Sequence, residues 1–367
     1  MSRIKKAILT PHLFLRDLLI KRYPVKYSEL KCSIDELVGI KIALSEIEAI
    51  DERVSNTAQI DVVFTWVDSS DLKWQEKFRK YVQAESSLRS PAATDQARFE
   101  NHDELYFAVN SVLKNINWVR KIFIVTDSQI PNWLTSLSKG ERDKIIIVDH
   151  SEIIESEYLP TFNSHVIEAN LYKIPGLSEE FIYFNDDVYV ARDLSKSHFF
   201  RSNGLASVFA SNKVVADLTT KRVTATSYAS QNTLKLLNQY YGQVPSSLLQ
   251  HTYIPLKKEV FVLAENIFHD EIKRFQHNKF RSRDDINVGT FLVPWMMYYE
   301  GEALISRDIC FYFNWRSNDG KAQMKTLLKK KSEGYRPDSI CTNDFITSDE
   351  EDGTCLSSFL TEYFKAD

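Results

Sequence analysis

The chain has 367 residues, 43% of them hydrophobic, enough for a large buried core and long for one plain domain. Its formal charge of −4 offers no sign of the clustered basic face that general nucleic-acid binding requires. Ten glycines, ten prolines and 12% aromatic residues exclude a low-complexity chain. Four scattered cysteines without a CxxC pair argue against a thiolate zinc site and for reduced cytosolic thiols, with a Cys341–Cys355 approach left open.

Residues 1–31 form a basic leader in which Ile8, Leu9, Leu13, Leu18 and Ile20 mix with Arg3, Lys5, Lys6, Lys21 and Lys26. Arg16 and Asp17 interrupt its apolar stretch, which excludes a signal-peptide core, and no run reaches the roughly 18–20 apolar residues that span a bilayer. Such a segment either rests on an anionic membrane surface or packs on its own domain, and the two readings weigh the same. A helix is expected over 33–56, with Ser33 as N-cap and a polar Asp51–Asn56 link at its end. Ile60–Asp68 then reads as a buried strand ending in acid, followed by a helix over Trp74–Val82 and another over Glu104–Leu113. Lys121–Asp127 is a second strand and Lys144–Val148 a third, with Asp149 and His150 after it. A helix around His165–Tyr172 precedes the fourth strand, Phe181–Phe184.

Strands alternating with helices predict an α/β fold with a mostly parallel central sheet and flanking helices, and ligands in such sheets bind at the carboxyl ends of the strands. Asp68, Asp127, Asp149 and Asp186 all fall at those ends, which points to a nucleotide-dependent enzyme. Residues 232–300 read mainly as helices, and the acidic loop Ser348–Gly353 leads to a last amphipathic helix, Leu356–Phe364. The expected organisation is therefore a leader (1–31), an N-terminal helical segment (32–56), a catalytic α/β domain (57–320) with a helical insertion at about 230–275, and a helical extension (321–367).

The most informative segment is Phe181–Val190, where Asn185-Asp186-Asp187 interrupts an apolar run. Unpaired carboxylates are costly to bury, so such residues meet water, a cation or a charged ligand. Oxygen donors on a rigid strand end suit a hard cation such as Mg²⁺, which keeps substrate phosphate in its remaining positions. A solvated Asn-Asp turn is the competing reading of the segment taken alone.

Several motifs together resemble the Stealth family, capsule-polysaccharide hexose-1-phosphate transferases related to the lysosomal-enzyme N-acetylglucosamine-1-phosphotransferase. Ile60–Asp68 resembles the first conserved region of that family. Arg98–Leu105, Trp118–Asp127, Leu159–Ser164, Ile174–Ser178 and Phe181–Val188 resemble the second, Gln250–Pro255 with His251 the third, and Phe280–Ile286 the fourth. Ser69 stands where a glycine is common, and His102-Asp103-Glu104 where an Asp/Asn-rich triplet is typical. The resemblance implies a glycosyltransferase-A-like nucleotide-binding core with a mainly helical accessory region. It also implies transfer of a hexosamine-1-phosphate, with N-acetylglucosamine favoured, from a UDP-sugar to a hydroxyl of a capsular glycan, releasing UMP and leaving a phosphodiester.

In-line attack on a phosphorus that already carries negative charge depends on positioning and on neutralising cations. The resemblance gives Asp186 and Asp187 the role of Mg²⁺ ligands, with Mn²⁺ as the alternative, or of acid and base, Asp187 being nearest the acceptor hydroxyl. It makes Arg281 the phosphate clamp and His251 an acid, base or phosphate donor. Donor-site candidates are Asp68, Asp71, Arg98, Asp103, Glu104, Thr126, Asp127, Asn163, Ser164, Glu168, Asn185, Arg283 and Asp284. Several of these have plainer readings: Glu104 opens a helix, Asn163 and Ser164 suit a helix cap, and Arg283 suits a surface ion pair. Localisation on the inner face of the cytoplasmic membrane, peripheral and without nucleic-acid partners, completes the expectation. Two readings compete: a metal-dependent nucleotide-sugar glycosyltransferase that releases UDP, and a non-catalytic carbohydrate-binding or host-interaction protein.

Overall fold

The computed structural model describes residues 58–84, 102–216, 224–343 and 354–365, with isolated positions elsewhere. The leader, most of the 33–56 segment, Arg98 and the 348–353 loop lie outside them. A five-stranded sheet of order β3-β2-β1-β4-β8 forms the centre. Its strands are β1 (Ile60–Thr65), β2 (Ile122–Thr126), β3 (Ile145–Asp149), β4 (Glu180–Asn185) and β8 (Ile254–Lys257). The first four are mutually parallel, and β8 closes the edge antiparallel to β4. The fold is thus α/β with a mostly parallel sheet and flanking helices, and all four expected strands form it.

The physical reason is visible in burial. Val62, Val63 and Phe64 in β1 and Ile122 and Ile124 in β2 are fully buried, as an interior parallel sheet covered on both faces requires. In β3, at the edge, Ile146 is left exposed. Parallel neighbours need crossovers, and α1 (Leu72–Ala84) and α2 (Glu104–Asn115) supply the one between β1 and β2. Leu105, Ala108, Val109 and Val112 recur at helical spacing along α2 and are buried. One buried charge sets the register. Asp61 accepts from Arg120 Nε at 2.9 Å and from the backbone N–H groups of Lys121 (3.1 Å) and Ser178 (2.7 Å). It thereby joins the entry ends of β1, β2 and β4.

Beyond β4 the chain leaves this sheet. β5 (Val188–Val190) pairs antiparallel with β11 (Ser339–Asn343), which runs parallel to β10 (Cys310–Asn314). A third sheet, β7-β6-β9, contains β6 (Ala206–Val214), β7 (Ser247–Leu249) and β9 (Ala303–Ser306). The stretch expected to be mainly helical does hold α4 (Ala225–Tyr241), α5 (Lys258–Ile267), α6 (His269–Gln276) and α7 (Val293–Tyr299), but β7 and β8 run between them. Likewise β11 lies between α8 (Asn318–Ser332) and α9 (Thr354–Phe364), so the C-terminal extension contributes a strand to the sheet beside β5. Leu356, Phe359, Leu360 and Tyr363 of α9 join the same hydrophobic core as β1 and β2. Among the described residues no helix is long and apolar enough to cross a membrane.

A short helix, α3 (Ser164–Ala169), packs against a π-helical turn over Val288–Leu292. A Cβ added at Gly289 would stand 2.9 Å from the Glu168 carbonyl oxygen, closer than real Cβ contacts allow. Gly289→Ala is therefore expected to lower stability by about 1–3 kcal/mol through overpacking. Urea unfolding measures it, and an unaltered midpoint would refute the close approach.

Candidate active site

The carboxyl ends of β1 and β4 open on a cavity of about 770 Å³. Asn185, Asp186 and Asp187 occupy the turn by which β4 leaves the central sheet and β5 enters the next. Because the chain changes sheets here, both carboxylates reach the cavity wall. Asp186 is pushed up to about 7 by withdrawal from water and by the adjacent Asp187 charge. Glu104, buried at the start of α2, is pushed up to about 8 by burial and then by Asp186. Its carboxylate accepts from the His102 N–H.

Asp187 is where three elements meet. Its Oδ1 lies 3.9 Å from His251 Nε2, on the loop between β7 and β8, and is buried without a hydrogen-bond partner. Its Oδ2 accepts from Cys341 Sγ of β11 at 3.5 Å. Burial and the Asp187 charge hold the Cys341 thiol well above its usual range, so it stands as a hydrogen-bond donor to that carboxylate. Asn185 Nδ2 lies 3.4 Å from His251 Nε2, and its Oδ1 accepts from Tyr183 OH at 2.8 Å. Tyr312 meets the His251 ring edge-on at 5.6 Å, with Lys213 Nζ 5.0 Å from the Tyr312 centroid.

Arg281 lies on the cavity wall. Its Nη2 and Nε donate to Ser164 Oγ at 2.6 and 3.2 Å, and its Nη1 donates to Thr226 Oγ1 at 3.2 Å. Desolvation lowers its pKa, while Glu168 and Asp285 oppose that shift. The guanidinium is aimed by an aromatic cluster. Phe280 stacks on Phe162 at 5.2 Å, Phe78 of α1 meets both edge-on, and Trp74 packs beside Phe78. Ser164 and Arg281, each within two residues of a stacked ring, are thereby set facing each other. Glu168 is buried at the cavity wall and accepts from Thr290 Oγ1 at 3.3 Å.

Asn185, Asp186, Asp187, His251, Arg281, Ser164, Glu168 and Glu104 thus line one cavity. Other candidates do not line it. Asp127 is held by Lys77 Nζ at 2.7 Å, and Asp71 caps α1 through the N–H groups of Lys73 and Trp74, the Trp74 bond lowering its pKa. Asn163 caps α3 and donates to the buried Asp285. Asp68 accepts from Ser70, Thr126 is buried, and Asp103 is exposed at φ 65° ahead of α2. Asp284 is also exposed, and Arg283 lies over the Tyr228 ring at 5.4 Å in place of the expected ion pair. Cys341 is buried and Cys355 exposed, both as free thiols, so the open Cys341–Cys355 pairing is not formed. Sequence reasoning did not find Cys341, Lys213, Thr226 or Tyr312. They come from strands and helices far along the chain, and no local motif marks them.

Residues 58–85 match conserved region 1 of Stealth proteins, and residues 98–208 match conserved region 2. A capsular polysaccharide phosphotransferase of Actinobacillus suis is 47% identical over 369 residues, covering 99% of this chain and 98% of its own. The capsular polysaccharide phosphotransferase LcbA of Neisseria meningitidis is 45% identical over 369 residues and 100% of both chains. Among solved structures, the galactosyltransferase LgtC in complex with donor and acceptor sugar analogues aligns with 83% of this chain and 94% of its own. Its 12% identity and TM-score of 0.41 are too low to bear on the chemistry. With near-half identity along their whole length, the relatives leave one assignment: the chain is a transferase that belongs to the Stealth family of capsular polysaccharide phosphotransferases.

Proposed function

We propose that this capsule phosphotransferase moves a hexosamine-1-phosphate, with N-acetylglucosamine-1-phosphate favoured, from a UDP-sugar to a hydroxyl of a growing glycan, releasing UMP. The single observation that carries the reading is the convergence of Arg281 and the Asp186-Asp187 turn on one cavity, with His251 beside Asp187. Breaking a pyrophosphate bond calls for this pairing of a planar cation with an acidic, cation-binding edge.

The donor set fits a hard divalent cation. Asp187 offers an unpartnered oxygen within 4.8 Å of His251 Nε2 and Cys341 Sγ, and the adjacent Asp186 carboxyl is pushed up to about 7 by burial and then by the Asp187 charge. Asp187 and Asp186 would hold Mg²⁺, or Mn²⁺, which supplies neutralisation of the pyrophosphate charge. Arg281, pre-aimed by Ser164 and Thr226, binds the transferred phosphate. His251 takes the acceptor proton, its imidazole steadied by the Asp187 carboxylate. The role of base thus moves from Asp187 to the adjacent histidine, because Asp187 is the better cation ligand. Glu104 and Glu168 accept from sugar hydroxyls. The basic leader rests on the inner face of the cytoplasmic membrane; flotation with anionic vesicles, lost on removal of residues 1–31, is the expected result, and flotation by the shortened chain would refute it.

Incubation with a panel of UDP-sugars and a capsule oligosaccharide tests the reaction. UMP release and a phosphodiester phosphorus resonance are expected, and a chelator abolishes both until Mg²⁺ is restored. UDP release would mean glycosyl transfer instead. In the same assay Asp187→Asn loses about 10²–10⁴-fold in turnover while remaining folded; wild-type turnover would remove Asp187 from the site.

Glu104 makes a separate prediction for the ligand-free protein. Its carboxyl ionises near 8 in the fold against 4.5 ordinarily, so the fold holds the proton that the unfolded chain gives up. The stability it contributes is full below about 4.5 and is lost as pH rises through about 8. Glu104→Gln should therefore melt higher than the parent at pH 8.5 and alike at pH 4.5. Equal melting at both would show that Glu104 is not held protonated.

A further inference from the structure

His251 has weak hold on its own position, since its imidazole contacts lie at 3.4 and 3.9 Å. Its neighbours are held firmly, and their side-chain bonds converge on one residue. Gln250 Nε2 donates to the Asp308 carbonyl at 3.1 Å, Thr252 Oγ1 donates to Ser339 Oγ at 2.8 Å and lies 3.4 Å from Asp308 Oδ2, and Tyr253 OH donates to Asp308 Oδ1. His198 Nε2 lies 3.0 Å from Oδ1, and Ser339 Oγ donates to Oδ2 at 2.5 Å. Asp308 is fully buried, and of residues 250–253 only His251 faces the cavity without a side-chain bond to it.

The other end of the knot reaches Asp187. Ile309 N–H donates to Asp338 Oδ2 at 2.8 Å, and Arg192, just past β5, donates to Asp338 Oδ1 at 2.6 Å. Ser339 opens β11, which carries Cys341 to Asp187. A buried carboxylate is a poor way to gain stability, because apolar packing of the same volume does as well or better. Its donors converge here on the loop that presents one cavity-facing histidine and on the strand that backs Asp187.

We propose that Asp308 is a positioning residue for the transfer reaction, a buried tether that sets His251 against Asp187. The proposal rests on the role given to His251 above. It explains why the loop between β7 and β8 carries polar residues on both sides of the histidine, whose side-chain bonds lead to Asp308 directly or through Ser339.

A double-mutant cycle tests it. Asp308→Ala removes every tie to the carboxylate and is open to misfolding, so Thr252→Val with Tyr253→Phe is the main variant, each change deleting one hydroxyl and keeping shape. With melting still well above the assay temperature, kcat is expected to fall about tenfold or more while the donor KM stays within about twofold. In a His251→Ala background the same pair should cost less than about twofold, because the tether then has nothing to position. An equal loss in both backgrounds, a rise in donor KM at constant kcat, or wild-type kcat in the hydroxyl variant would each overturn the tether. His251→Ala alone separates the two claims. If it keeps full turnover, the role of His251 fails and the tether with it; if it loses turnover and the cycle is additive, only the tether fails. Asp308→Asn alone, which keeps an acceptor oxygen for Tyr253, should keep more turnover than the hydroxyl pair, and turnover no higher than the pair's counts against the proposal.

Discussion

The central constraint on this molecule is the level alignment of β2, β1 and β4, and it is held from below by Asp61. A carboxylate with no exposure would be strongly unfavourable alone, yet here, from within β1, it accepts from one guanidinium and two backbone N–H groups drawn from the approaches to β2 and β4. The apolar strand interiors fit several registers almost equally well, whereas this set of bonds fits one. With entry ends level, the carboxyl ends are level too, and the acid that closes each strand arrives at the same edge. The cavity is a consequence of that alignment.

What the strands deliver to the edge is then sorted by partners. Asp127 meets Lys77 and Asp71 meets a helix N-terminus, so both are neutralised within the fold. Asp186 and Glu104 are withdrawn from water on the same cavity, and desolvation, then repulsion from the neighbouring carboxylates, raises the pKa of both. Arg281 stands across the cavity with its fork already bound to hydroxyls. The protein thus brings cation and carboxylates to one cavity, with the guanidinium engaged by hydroxyls. Electrostatic preorganisation of this kind costs folding stability and lowers the barrier only when the charged substrate is bound.

The distinction between spent and unspent acids explains what was legible in the sequence. The four parallel strands and α2 announced themselves through short apolar runs and helical spacing, because each buries its residues against whatever lies next to it. The strand-end acids were visible as a class, but the fate of each depends on a residue far away. Lys77 lies 50 positions before Asp127, and Cys341 lies 154 positions after Asp187. β7, β8 and β11 are too short, and too embedded among helices, to show period-two alternation; they exist because other strands give them a ladder. His251 was singled out only through resemblance, since a lone histidine in a short loop carries no signal of its own.

The turn at Asn185-Asp186-Asp187 brings these threads together. Had β4 continued straight, alternation would have sent Asp186 and Asp187 to opposite faces of one sheet. Instead the chain passes from the central sheet to the β10-β11-β5 sheet within two residues, and both carboxylates come to the same cavity. The second sheet is therefore part of the site and not an appendage to it. β11 backs Asp187 through Cys341, and Thr342 N–H donates to the Asp187 carbonyl at 3.1 Å. A polypeptide segment from the far C-terminal third thus fixes the direction of a carboxylate in the middle of the chain, and the acidic edge needs the whole fold to exist.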